Sequence, residues 1–299
     1  MTDDLELARL VKTLRASPDF KVLERLKIRD SFNDLSGSEA LVAAVVDTET
    51  TGLDSSADEV IELAMLKFTF TRAGKIGSVI ETYQSLNEPK NPIPPLITQL
   101  TSIDDAAVKG HQISQSEVNN FLDDVVLLIA HNATFDRPFC EQISPKFIDI
   151  AWACSATEIA WNVEGVAGAR LEYILQSFNI FFQAHRAMDD CRALLEVLSH
   201  SLPKSNESVL GVLLDRARRT EARLFALGAS YELRGTLRSR GYRWNDGRNG
   251  YPRAWFRDVS VDVVETEENF LRKLSSNISP EHFNLTAKNR FRRREDLSQ

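Results

Sequence analysis

The stretch Leu41–Leu53, "LVAAVVDTETTGL", runs through six apolar residues and then places Asp47 and Glu49 two apart, just ahead of Gly52. Side chains of a β-strand alternate between faces, so a strand here projects both acids to one side. Two ionised carboxylates held at the end of a buried strand repel each other and lose hydration, so the pair calls for a cation between them. The plainer alternative is a strand that runs out into an acidic surface turn, and the pair alone does not choose between the two.

Working outward, a chain of 299 residues with 43% hydrophobic and 26% charged content is ordinary for a globular protein, with room for one large domain and a small one. No apolar run approaches eighteen residues, and the N-terminus lacks a basic, hydrophobic, then small-residue pattern. Neither a membrane span nor a secretory signal is expected, and a cytoplasmic location is. Cys140, Cys154 and Cys191 are widely spaced and form no CxxC pair, which argues against a disulfide framework or a structural zinc site; each is expected to be a small core residue.

The net charge of -7 is unevenly spread. Residues 201–299 carry 19 Lys and Arg against 13 Asp and Glu, a balance of +6, which leaves -13 for residues 1–200. An acidic body with a basic tail suits a metal-dependent enzyme acting on a polyanion, although a merely solvated surface explains it as well.

Apolar residues between Leu5 and Leu26 recur at helical spacing, interrupted by "SPDF", and predict one or two packing helices. Two further strands, "EVIELAMLKFTF" and "SVIETYQSLN", follow the opening one as an antiparallel meander around Gly74. Beyond a proline-rich stretch come a helix near 114–124, the strand "VVLLIAHNA", a helix near 134–142, a short strand "FIDIAWA", and helices near 169–178 and 188–202. Hairpins first, then alternating strands and helices, imply a mixed α/β sheet flanked by helices. The polar run "PKSNES", 203–208, is the expected linker, separating 41–202 from a small C-terminal α+β domain over 209–299, with 1–40 as a helical extension. In that domain an amphipathic helix, a short helix and a hairpin are expected, and the final "RFRRRED" is expected to fray.

Two more segments carry chemistry. "VVLLIAHNA" opens into "TFDRPF", placing Asp136 in the first turn of a helix beside a strand end. "HRAMDDCRALLEVL" sets His185 just ahead of a helix and Asp190 in its first turns. Together with "VVDTETTGL", these resemble the three motifs of the DEDDh, or DnaQ-like, 3′-to-5′ exonuclease superfamily, in family order and over roughly 41–202. The resemblance implies a ribonuclease-H-like fold and removal of 5′-mononucleotides from a 3′ end, with single-stranded or frayed DNA favoured and RNA trimming as the alternative. Asp47, Glu49, Asp136 and Asp190 would hold two divalent cations, Mg²⁺ or Mn²⁺, whose preference for carboxylate oxygens fits this set. His185 would be the general base, a task suited to a group titrating near neutral pH.

Only one of the successive residues Asp189 and Asp190 can face the other acids, and the H-x-A-x-x-D pattern selects Asp190. Thr48, Thr50 and Thr51 would bind the terminal nucleotide or are plain strand-end polar residues. His131 and Asn132 would fix the loop or touch substrate, and Phe135 is equally suited to a core or to stacking on a base. Two rivals to autonomous catalysis are a non-catalytic nucleic-acid-binding scaffold and a proofreading subunit dependent on a polymerase.

Between Ala229 and Asp258 seven arginines and three acids interleave with Tyr231, Tyr242, Trp244, Tyr251, Trp255 and Phe256. Exposed, these aromatics and arginines would extend the grip on single strands; buried, the two tryptophans would form the core of a small domain. The same domain would equally suit docking of a DNA polymerase or repair partner.

Overall fold

The computed structural model describes residues 2–293. Helix α1 (Thr2–Arg15) leads to a short strand β1 (Glu24–Arg25) and then to β2 (Ala40–Thr50), β3 (Val60–Thr71) and β4 (Ile76–Leu86). After α2 (Pro95–Thr101), α3 (Asp105–Val108) and α4 (Gln115–Phe121) come β5 (Leu127–Ala130), α5 (Ala133–Ile143), α6 (Lys146–Asp149) and β6 (Ala151–Cys154). The first half closes with α7 (Leu171–Ser177), β7 (Ile180–Phe181), α8 (Ala187–Ser199) and α9 (Val209–Arg218). The strands make a five-stranded sheet in the order β4-β3-β2-β5-β6, antiparallel through β2, β3 and β4 and parallel through β2, β5 and β6. The expected mixed sheet flanked by helices is thus present.

β2 is buried on both faces, which is why it reads as a continuous apolar run instead of an alternating one. Its residues nevertheless divide by parity. Ala43 and Val45 face the core shared with α7, α8 and α9, while Ala44 and Val46 face the one shared with α4, α5 and α6. This parity decides where each polar residue at the end of β2 points.

The N-terminal expectation needs correction. α1 forms, yet Leu5, Leu7 and Leu10 remain more than half exposed, so it does not pack as foreseen. No second helix follows: residues 24–25 pair in parallel with β7 and Leu26 packs against the main core. Pro18 ends the first helix, and an open strand edge then offers the chain backbone partners that a helix would have supplied internally. The strand expected at "FIDIAWA" is likewise shortened, its first half forming α6.

The C-terminal part is a four-stranded antiparallel sheet built from β8 (Glu221–Leu227), β9 (Arg243–Trp244), β10 (Trp255–Ser260) and β11 (Ser279–Leu285), in the order β11-β8-β10-β9, with α10 (Arg234–Ser239) and α11 (Val264–Leu274) on one face. β9 and β10 are the expected hairpin. The linker does not separate these parts as anticipated. Val209, Leu210, Leu213 and Leu214 of α9 belong to the main core, and residues 201–208 form a turn closed by a Ser201–Ser208 bridge. A polar run can mark a surface turn inside a unit as well as a boundary between units.

The segment expected to fray is docked over its described part. Arg290 and Phe291 are buried, and Arg290 pairs with Glu158 and, at 3.5 Å, with Glu221. The carbonyl of Ala287 accepts the backbone N–H of Trp152 at 2.8 Å, which holds this segment against the edge strand β6. Residues 294–299 lie outside the described part.

Candidate active site

Asp47 and Glu49 continue the Ala43/Val45 face of β2, the side on which α8 lies. α8 packs across β2 and β3, and its first turn brings Asp190 to them. Carboxylate oxygens of Asp47, Glu49 and Asp190 lie within 4.8 Å of one another. Thr48, of the opposite parity, points toward α5 and meets Asp136 there: its backbone N–H and Oγ1 donate to Asp136 Oδ1 at 3.1 and 2.9 Å. Asp136 therefore borders the cluster from the α5 side and is not among the three that converge most closely.

The electrostatics are those of uncompensated negative charge. Burial pushes Asp47 well above the usual carboxylate range, and Asp136, Asp190, Glu49 and Glu62 add their repulsion. Burial, reinforced chiefly by Asp190, raises Glu49 to about 8. Asp136 and Asp190 rise to about 7, again through burial, against the hydrogen bonds from Thr48 and from the His185 and Arg186 backbone. The nearby thiols of Cys140 and Cys191 are buried, unbridged and pushed up by the same burial and the same acids, so they supply no thiolate.

A fifth acid stands directly beside the cluster and escaped the sequence reading. Glu62 on β3 is opposite Glu49 in the register and fully buried. Burial alone would raise it, but Arg186, Gln84 and the Ala187 N–H together hold it below its ordinary value. Arg186 reaches Glu62 at 2.9 Å. Both residues lay within quoted segments, "HRAMDD" and "EVIEL", but neither segment reveals that a buried acid and a loop arginine meet across 124 positions.

His185 sits at positive φ (72°), is exposed, and lines a cavity of about 420 Å³ together with Asp47, His131, Arg170, Glu172 and Asp190. Asp189 is exposed, as the motif required. His131 uses both ring nitrogens internally, toward Ser155 Oγ at 2.8 Å and the Ala169 carbonyl at 2.7 Å, and burial holds its pKa below the usual value. It ties the loop after β5 to two others. Asn132, at φ 109°, forms the turn into α5.

The threonine hydroxyls are also engaged within the chain. Thr50 Oγ1 donates to the Gly52 carbonyl at 2.6 Å, and Thr51 Oγ1 accepts the Glu59 N–H at 3.0 Å. Phe135 is half-buried against Phe139, 5.2 Å between centroids, beside Leu53, which is 84% exposed.

The converging donors are carboxylate oxygens alone, with no thiol or imidazole among them, which is the donor chemistry of a site for hard divalent cations. The exonuclease (RNase T) family model matches residues 44–198, just over half of the chain, and the chain belongs to that family. Among curated proteins it is similar to the PolC-type DNA polymerase III of Caldanaerobacter subterraneus, 27% identical over 222 residues, covering 69% of this chain and 15% of that one. The Listeria welshimeri enzyme of the same name is 31% identical over 173 residues, covering 54% and 11%. The chain thus spans only a small part of the length of these polymerases. Among solved structures, the zinc-bound complex of E. coli exonuclease I with single-stranded DNA is similar in fold, with a TM-score of 0.50 and 13% identity over 86% of this chain and 67% of that one.

Proposed function

We propose that this exonuclease removes 5′-mononucleotides from the 3′ end of nucleic acids, with single-stranded DNA as the favoured substrate, and that Asp47, Glu49, Asp136 and Asp190 hold two divalent cations, Mg²⁺ or Mn²⁺. The observation that carries this reading is the convergence of three carboxylates within 4.8 Å in a setting that raises their pKa values. A cation is the missing partner for such a group, and chemistry is the reason a fold retains it. When bound, a pair of cations activates water and stabilises the leaving oxygen of an in-line displacement.

The chain's own residues supply the rest. His185 lines the same cavity as Asp47 and Asp190, and its imidazole accepts the proton of the attacking water. Asp190 holds the His185 backbone, and the next residue of the loop, Arg186, is anchored on Glu62. Thr48 orients Asp136 through two hydrogen bonds. Leu53 and Phe135 offer an apolar surface for the terminal base, next to Asn132.

Matched 5′- and 3′-labelled single strands of DNA and RNA, incubated with Mg²⁺, Mn²⁺ or EDTA, test this. A ladder descending from the 5′-labelled strand, with immediate release of the label from the 3′-labelled one, is expected for DNA and is absent in EDTA. Internal cuts, or degradation from the 5′ end, would overturn the polarity; faster cleavage of RNA would reassign the sugar.

A second reading draws on the PolC-type relatives, whose names attach them to a polymerase. On it the chain edits 3′ ends for a polymerase or repair partner docked on the C-terminal sheet. Stimulation by a purified replicative polymerase, against full activity alone, separates the two.

A further inference from the structure

A cavity of about 570 Å³ lies between the C-terminal sheet and the exonuclease domain. Its walls carry eight arginines against four acids, in a chain whose net charge is -7. Every one of those acids already faces an arginine of the wall: Glu158 with Arg290, Glu221 with Arg216, Asp258 with Arg223, and Asp246 with Arg248. Arg243 and Arg248 are the most open, with side chains 67% and 91% exposed and ion-pair separations of 3.6 and 3.4 Å. Pairs so exposed are worth little and yield readily to a stronger anion.

Register fixes which face of the sheet this is. Arg243 pairs with Phe256 and Trp244 with Trp255, so Arg243 and Trp244 project to opposite sides. Arg223 and Arg243 both lie over the Phe256 ring, at 4.9 and 5.0 Å, on the cavity side. Trp255 is buried with α10 and α11, and the half-exposed Trp244 stands beside it on that far side. Arg243 therefore faces the cavity and both tryptophans face away from it, although Arg238 and Arg240 lie with the tryptophans, over Trp255 and against Glu267 of α11.

The cavity also adjoins a second one at the start of α5. Thr134 and Arg293 line both it and a smaller cavity of about 210 Å³ shared with Leu53, Asn132 and Phe135. Thr134 lies two residues before Asp136 on α5.

We propose that this arginine-lined cleft holds the sugar–phosphate backbone of the nucleic-acid strand upstream of the cleaved 3′ end. The inference rests on reading the acid cluster as a 3′-end nuclease centre, and it deepens that reading by adding a second contact region. Recognition is of phosphate, since guanidinium groups and no tryptophan face the cleft, so it is sequence-independent and strongly salt-dependent.

The test uses the full chain, an Arg243→Gln/Arg248→Gln variant and, as a control on α11, Arg272→Gln. Anisotropy of dye-labelled 20-nucleotide and 4-nucleotide single strands is measured in EDTA over a NaCl series, and kcat/KM for both lengths in Mg²⁺. The wild type should prefer the longer strand. The double variant should lose about tenfold of that preference, and its slope of log affinity against log salt should be shallower by about 1.4, the value for two lost phosphate contacts on a single strand.

Equal binding of both lengths by the wild type, or an unchanged preference and slope in the double variant, would overturn the cleft. If the double variant unfolds, Arg248→Gln alone carries the same test with half the slope change. Arginine-dependent binding of the long strand without any cleavage would remove the nuclease reading and leave the cleft standing; cleavage without length preference would do the reverse.

Discussion

Asp190 Oδ2 accepts the backbone N–H of His185 at 2.9 Å and that of Arg186 at 3.2 Å, so the acid and the histidine loop are one hydrogen-bonded unit. Asp190→Asn retains an acceptor at that position, whereas Asp190→Ala leaves two N–H groups without one. Both variants should be inactive, but only the alanine should also be destabilised, by about 1–3 kcal/mol. Chemical denaturation of the two variants side by side checks this.

Glu62 is fully buried and relies on Arg186 for its charge partner. Arg186→Ala should therefore destabilise the fold by about 3 kcal/mol, because an unpaired buried carboxylate remains. Adding Glu62→Gln to that variant should restore most of the loss. A double-mutant cycle on unfolding free energy reads the coupling directly.

The raised pKa values set a pH dependence for metal-free protein. Glu49 near 8, and Asp136 and Asp190 near 7, keep protons in the folded state that the unfolded chain releases near pH 4. Stability from these groups is present in full below the unfolded values and is lost as pH rises through the folded ones. In EDTA the Tm should fall between pH 5 and 8.5, and Mg²⁺ should restore more of it at pH 8.5 than at pH 5. A Tm that climbs with pH in EDTA would contradict this.

Neutralising one acid should separate stability from function. Asp47→Asn replaces an acid that burial and its acidic neighbours keep from ionising, and should raise the Tm of metal-free protein at pH 8. Thermal scans in EDTA, paired with scans in Mg²⁺, should show the wild type gaining more from the ion than the variant.

Much of this was legible in one sequence because local chemistry carried it. The apolar run and the parity of Asp47 and Glu49 placed two acids on one face, and that is the face α8 covers. Asp136 and Asp190 stand at a strand-to-helix turn and a helix start, but it was the family resemblance, not this local chemistry, that implied their place with the first two acids and chose Asp190 over Asp189. The Glu62–Arg186 pair was not legible, since it joins two segments through the register of β3 and the docking of α8.

The threonines mark a different limit. Thr48 was open to two readings, a substrate contact or a plain strand-end residue, and it is 5% exposed and bonded to Asp136. The fate of a hydroxyl depends on its nearest partner, which sequence does not specify. In the same way, α9 and the 290–293 segment have polar flanks yet bury Leu210 and Phe291, since burial follows the available surface.

The most direct measurement is the Mg²⁺-dependent shortening of a 5′-labelled single-stranded DNA by wild-type protein, with Asp47→Asn and His185→Ala alongside. A one-nucleotide ladder is expected from the wild type, slowed on the order of a thousandfold by Asp47→Asn, matching the several kcal/mol a bound cation supplies. His185→Ala should slow it by about 10²–10⁴-fold. Equal rates in the three folded proteins would show that the acid cluster and His185 are not the catalytic centre.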